Sequence, residues 1–141
     1  IDLFRTASNK TQLGFFVMGG VFGESIDLIG DQLSGVIIVG VGLPMISPMN
    51  NVLKSHFDEQ FSRGFDFAYT YPGINKVIQA VGRVIRSETD RGIAILIDDR
   101  FTTKRYYGLY PKEWSHLEVI NSTKRLKAKI KAFWSVNNEE D

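Results

Sequence analysis

Apolar residues along this chain follow two patterns. Short continuous runs rich in β-branched side chains occur at Gly35–Val41 and Gly92–Ile97. They predict strands buried on both faces of a sheet. Phe15–Met18 is a shorter apolar run that stops at Gly19-Gly20 and predicts a further strand entering a loop. Between the runs the spacing becomes helical. Met49, Val52, Leu53, Phe57 and Phe61 predict a helix over Pro48–Arg63, with Gly64 as its C-cap. Tyr71–Arg86 predicts the clearest helix, with Pro72 in its first turn. Phe101–Tyr107 predicts a short helix. Ser122–Val136 predicts a basic amphipathic one, with Leu126, Ile130, Phe133 and Trp134 on one side. Ile1–Leu13, polar with scattered Leu3 and Phe4, is expected to be a frayed helix end, and Asn137–Asp141 a loose acidic tail. Strands alternating with helices predict an α/β fold, a parallel sheet with helices on both faces, as one domain over residues 1–136. Ligands of such sheets bind at the carboxyl ends of the strands, so the loops after Met18, Val41 and Ile97 are the informative ones.

Composition narrows the chemistry. The chain has 141 residues, 43% hydrophobic and 23% charged, and a net charge of +1. No global field draws it to nucleic acid, so any such binding must come from a local patch. It has no cysteine, which removes disulfides, thiolate zinc sites and a cysteine nucleophile and fits a cytoplasmic protein. His56 and His116 stand alone without a ligand set, so no metal site is expected. The apolar runs are too short to cross a bilayer. The chain starts at Ile1 rather than Met and is expected to be a fragment of a longer protein.

The candidate chemistry lies on the helix Tyr71–Arg86. At roughly 100° per residue, Ile74, Val77, Ile78, Val81 and Ile85 cluster on one side. Gln79, Arg83 and Arg86 fall within roughly 60° of one another on the other. Gly82 sits beside this stripe, where glycine costs about 1 kcal/mol relative to alanine. That cost points to a close approach to the backbone. Two guanidiniums flanking an amide suit an oxygen-rich anion such as phosphate. A solvated polar face satisfies the same periodicity, and the geometry alone leaves both readings open.

The order of residues is more specific. Gln79-Ala80-Val81-Gly82-Arg83-Val84-Ile85-Arg86 matches Q-x-x-G-R-x-x-R, and the string continues through Ser87 to Gly92 as SETDRG. Upstream runs Gly19–Leu28, GGVFGESIDL. These segments resemble motifs VI and V of superfamily-2 helicases, in the XPD/DinG branch. Gly40-Val41-Gly42-Leu43-Pro44 and Asp98-Asp99-Arg100-Phe101 are similar to that family's strand-end segments. The resemblance runs from about Gly14 to Trp114 with the motifs in family order. The family writes Ser-Glu-Gly before Ile-Asp, whereas this chain has Gly23-Glu24-Ser25, so a glycine-specific angle at position 25 is in question.

The resemblance implies a RecA-like second motor domain of an ATP-dependent DNA helicase, with ATP bound between it and an N-terminal motor domain of the same protein. Arg83 and Arg86 would be arginine fingers, and Gln79 would lie by the γ-phosphate or its attacking water. Gly82, Asp27 and Glu24 would belong to the nucleotide site, Asp27 orienting a finger and Glu24 coupling the cleft to the DNA track. A helix N-cap or loop carboxylate remains an equal reading for Asp27 and Glu24. The phosphate loop and Mg²⁺ would come from the N-terminal domain, since G-x-x-x-x-G-K-[ST] is absent here. This chain alone would hold neither ATP nor Mg²⁺ and would be inactive. Asp98-Asp99 imitates a Walker B pair, but without that loop it reads as polar residues that contact Arg100 or cap the next helix.

Single-stranded DNA is the other implied partner; no membrane is. The DNA-contacting residues stay unassigned. Tyr69, Tyr71, Tyr106, Tyr107, Lys104 and Arg105 are the aromatic and basic candidates. Lys124, Arg125, Lys127, Lys129 and Lys131 lie on a helix outside the resemblance and remain unassigned. Two other readings compete. A non-enzymatic nucleic-acid-binding module that kept the fold is opposed by the intact Gln79, Gly82, Arg83 and Arg86. A serine hydrolase would use Ser25 of Gly23-Glu24-Ser25, with Asp98 or Asp99 and His116, but Asp27 stands where the last glycine of G-x-S-x-G belongs.

Overall fold

The computed structural model describes residues 4, 6, 10–20, 28, 32–85 and 90–135. The chain separates into two compact units, Ile1–Tyr110 and Pro111–Asp141.

The first unit is built on two parallel strands, β1 (Gly35–Val39) and β2 (Ile93–Ile97), paired Gly35 with Ile93 through Val39 with Ile97. Parallel neighbours need a long crossover. Here it carries α1 (Pro48–Phe61), a π-helical turn (Asp66–Thr70) and α2 (Tyr71–Val81). After β2 come a 3₁₀ turn (Asp99–Thr102) and the short α3 (Lys104–Tyr107).

Sequence chemistry accounts for most of the boundaries. Ser47 caps α1, its Oγ accepting from Asn50 N at 3.2 Å, and Pro48 follows, where no donor is needed. Pro72 also lacks a donor, and the turn before it is wound more loosely, Tyr71 N–H donating to Asp66 O five residues back. The far end of α1 differs from expectation. Ser62, not Gly64, takes the left-handed cap position, at φ 54°, and its N–H donates to Asp58 O at 2.9 Å. Gly64 serves close packing instead. It is buried, donates to Asp58 Oδ1 at 2.6 Å, and any Cβ there would overlap Lys54 O.

α2 runs from the carboxyl ends of the strands back to their amino ends. Gly73 in its first turn lies so near Val41–Leu43 that a Cβ would stand 2.7 Å from Val41 O. Beyond its last turn, Val84 fills the space a Cβ on Gly92 would need, beside Ser34 O. Ile74 and Val77 on this helix are buried, with Ile38, Val41, Ala68 and Phe101.

Two expectations are corrected here, and a third is met in part. Phe15–Met18 is not a strand: it joins no ladder among the described residues, Phe15 and Val17 are exposed, and it ends in a turn closed by Gly20 N to Val17 O at 3.0 Å. Cover of the strands is seen on one face among the described residues. Ile38 is buried, but Ile37, Val39 and Ile97 on the other face are exposed. The clearest helix stops at Val81 rather than Arg86. Gly82 N–H still donates to Ile78 O at 2.8 Å, but Val84 N–H donates to Val81 O at 2.9 Å, a tighter three-residue closure. The tightening turns Val84 into the core at 5% exposure and leaves Ile85 52% exposed, the reverse of the helical expectation.

In the second unit a 3₁₀ turn (Lys112–His116) precedes α4 (Thr123–Ser135). Leu126, Ile130 and Phe133 are half-buried there, and Glu118 pairs with Lys129 at 2.7 Å and Arg125 at 3.7 Å. No helix among the described residues is long and apolar enough to cross a membrane.

Candidate functional site

Two ends of the sheet carry different chemistry. At the amino ends, Gln79 lies in the last turn of α2, and Gly82 and Arg83 follow in the tighter turn beyond it. Gln79 and Gly82 are exposed and Arg83 is half-buried. Gly82 has φ −62°, an ordinary helical value, so its backbone does not require glycine. A Cβ there would meet only its own helix among the described residues, Ile78 O at 3.3 Å and Gln79 O at 3.7 Å. The one tight contact is with the backbone of the preceding turn, so no other described segment requires the missing side chain. Arg86, Glu24 and Asp27 lie outside the described residues, as do the rest of Gly23–Asp27 and the tail Asn137–Asp141.

At the carboxyl ends, the three loops singled out by the sequence meet. Gly40 N–H donates to Ile97 O at 3.0 Å, and a Cβ on Gly42, at φ 67°, would come within 3.2 Å of Met18 Cε. Asp98 and Arg100 are locked together. Asp98 Oδ1 accepts from Arg100 N at 2.9 Å and Nε at 2.8 Å, and Oδ2 accepts from Nη2 at 2.8 Å. Asp98 thus caps the 3₁₀ turn as expected, and Arg100 holds its carboxyl below the usual range despite some burial.

Close by sits a second cluster, of which the sequence analysis named Arg105 and Tyr71 as candidates but not Arg63, Asp66 or Thr70. Asp66 Oδ2 accepts from Arg63 Nε at 3.2 Å, and its Oδ1 accepts from Arg105 Nη2. Arg105 Nη2 also donates to Thr70 Oγ1 at 3.1 Å, and Arg63 Nη2 to the Tyr71 hydroxyl. Burial pushes the Asp66 carboxyl up, but hydrogen bonds from Arg105 and Arg63 outweigh it and leave the group below its ordinary value. Arg63 and Asp66 are an (i, i+3) pair, the only local signal; Arg105 arrives from 39 positions away.

The aromatic candidates divide. Tyr69 is buried and its hydroxyl donates to Asn51 Oδ1 at 3.2 Å, and Tyr106 is buried beside Phe101, so both are packing residues. Tyr71 is half-buried under Arg63, while Lys104 and Tyr107 are exposed. Among the described residues no group of His, Cys, Asp and Glu converges into a metal site. His56 lies against the Phe57 ring on α1.

Comparison with known proteins gives these positions a family. The helicase C-terminal domain family matches residues 1–117. The chain is 36% identical over 88 residues to the ATP-dependent DNA helicase YoaA of Escherichia coli, covering 60% of this chain and 14% of that protein. It is 35% identical over 89 residues to the ATP-dependent DNA helicase DinG of Photobacterium profundum, covering 62% and 13%. Against the XPD helicase subunit of general transcription and DNA repair factor IIH from Arabidopsis thaliana it is 33% identical over 109 residues, covering 72% and 14%. The chain therefore spans about a seventh of the length of these relatives. A family match over 117 residues, with relatives of the DinG and XPD kind, makes this chain a member of the helicase C-terminal domain family, of the XPD/DinG type.

Proposed function

We propose that this chain is the second, RecA-like motor domain of an ATP-dependent DNA helicase, with a sheet covered on both faces in the whole protein. Its partner is the N-terminal motor domain of that protein, and its track is single-stranded DNA in the cytoplasm. The carrying observation is the end of α2, where Gln79 is followed by an exposed Gly82 and by Arg83, within a matched helicase C-terminal domain. A nucleotide on the facing domain would approach that bare backbone, which accounts for the glycine.

The donor set suits a triphosphate's outer oxygens. Arg83 and Arg86 are the fingers, placing planar charge where the transferring phosphoryl group spreads its own. Gln79 orients the attacking water, with Asp27 and Glu24 at the same cleft. The chain has no phosphate loop, so that loop, and the Mg²⁺ that goes with it, are assigned to the facing domain.

The test is turnover in the full-length protein. Arg83→Ala and Arg86→Ala should each lower DNA-stimulated kcat by about a hundredfold or more while DNA binding persists. Lysine replacements should fail too, since a point charge does not reproduce the fork. Folding is checked by melting beside Val77→Asp, which buries a charge at a fully buried position and should unfold the domain first. Unchanged kcat in both arginine variants would remove the finger assignment.

A further inference from the structure

We propose that Arg63 and Arg105 form a binding site for the phosphates of a single-stranded nucleic acid, with Asp66 as its internal counter-charge and Phe65 as a stacking surface. The proposal deepens the helicase reading by naming residues for its strand contact, and its measurement needs no ATP.

Charge balance supports the site first. Two guanidiniums share one carboxylate, so the cluster keeps an excess positive charge, and exposed Lys104 adjoins Arg105. The arrangement is also layered. The Asp66 side chain is 14% exposed, against 56% for Arg63 and 50% for Arg105, so the acid lies inside and the cations outside. A purely structural pair needs one arginine. The second leaves charge at the surface.

Donor supply supports it next. The bonds to Asp66, Thr70 and Tyr71 engage Nε and Nη2 of Arg63 and Nη2 of Arg105. A guanidinium carries five N–H donors, so both retain some for a phosphate. The cluster is also preorganised. Arg63 Cζ lies 5.6 Å from the Tyr71 ring centre and Arg105 Cζ 5.5 Å from that of Phe65. Rings and carboxylate already hold the forks, so less side-chain entropy is lost on binding.

Position and neighbours choose the ligand. Thr70 and Tyr71 of the cluster lead into Gly73, which packs against Val41–Leu43 just past the carboxyl end of β1, the end at which such sheets bind ligands. Phe65 is 43% exposed, with Arg105 over its ring and the Tyr69 ring 5.1 Å away, so a base would meet the part of the ring that these leave open. A free phosphate has no use for that ring, whereas an unpaired base stacks on one.

The test is anisotropy of a labelled oligo-dT strand on the full-length protein without nucleotide. Arg63→Gln with Arg105→Gln should weaken binding about tenfold near physiological salt, and the salt slope should shrink by about 0.7 for each phosphate no longer neutralised. Asp66→Asn should act oppositely, tightening binding about threefold as repulsion of phosphate is removed. Phe65→Ala should weaken oligo-dT without changing inhibition by inorganic phosphate. Melting is followed in every variant. If the double arginine variant unfolds, the sign of the Asp66→Asn effect decides. A tie that only holds the fold predicts a lower melting temperature and no tighter binding, and that outcome overturns the site. So does an unchanged affinity in a folded double variant. If inorganic phosphate competes but Phe65 has no role, the site belongs to a free anion and the strand assignment falls. ATP turnover of Arg83→Ala is read separately, so either reading can fail while the other stands.

Discussion

Tyr110, the last residue of the first unit, donates its hydroxyl to Phe101 O at 2.6 Å. Burial, then the neighbouring Tyr107 and Tyr106 hydroxyls, pushes its pKa from the ordinary 10 up to about 12. The folded state therefore holds the neutral phenol more tightly than the unfolded chain does. Stability from this group is complete below pH 10 and is lost as pH rises through about 12. Tyr110→Phe should cost roughly 0.5–1.5 kcal/mol at neutral pH for the lost bond and make the alkaline decline shallower. Melting curves across that window check both, and an unaltered decline would show that other groups govern it. Two neighbouring arginines show how far single residues were legible. Asp98 and Arg100 lie two positions apart, and their pairing was expected because one turn brings them together. Asp66 and Arg105 are 39 positions apart, and no local spacing announces a contact that depends on how the crossover returns to the sheet.

At the scale of elements, two glycines separate packing from approach. Gly64 lies under α1, where a Cβ would overlap Lys54 O, while its N–H holds Asp58. Gly64→Ala should cost roughly 1–3 kcal/mol, because the backbone must shift. Gly82 ends α2 at an ordinary φ and meets only its own helix among the described residues. Gly82→Ala should leave melting within about 0.5 kcal/mol yet lower ATP turnover in the full-length protein. If Gly82→Ala retains full turnover, nothing approaches that backbone closely. Helices were legible as elements because their apolar spacing is regular. Their ends were less so, because Ser62 and the turn after Val81 answer to neighbours. The Ser62 cap lies beside the Gly64 contact with α1, and Val84 turns in to fill the space beside Gly92.

The first unit as a whole shows a two-stranded parallel sheet with one covered face and one that leaves Ile37, Val39 and Ile97 exposed. Both strand sequences call for cover on both sides, and the described residues supply it on one. The chain also spans about a seventh of its helicase relatives, and it carries no phosphate loop. Purified alone, it should release no phosphate from ATP, with or without single-stranded DNA. Steady release abolished by Arg86→Ala would show that this chain holds the nucleotide by itself. What the sequence determined by itself was local or ordered along the chain: the β-branched runs, the helical spacing, the Asp98 cap and the helicase motifs. These follow from side-chain period and neighbouring atoms, which a linear string records. Tertiary structure decided which runs pair, since Phe15–Met18 joins no ladder among the described residues and β1 takes β2. It decided where α2 stops, through Val84 beside Gly92, and it assembled Arg63, Asp66 and Arg105. Those outcomes depend on contacts between distant segments, whose energies are set only once the crossover has folded back on the sheet.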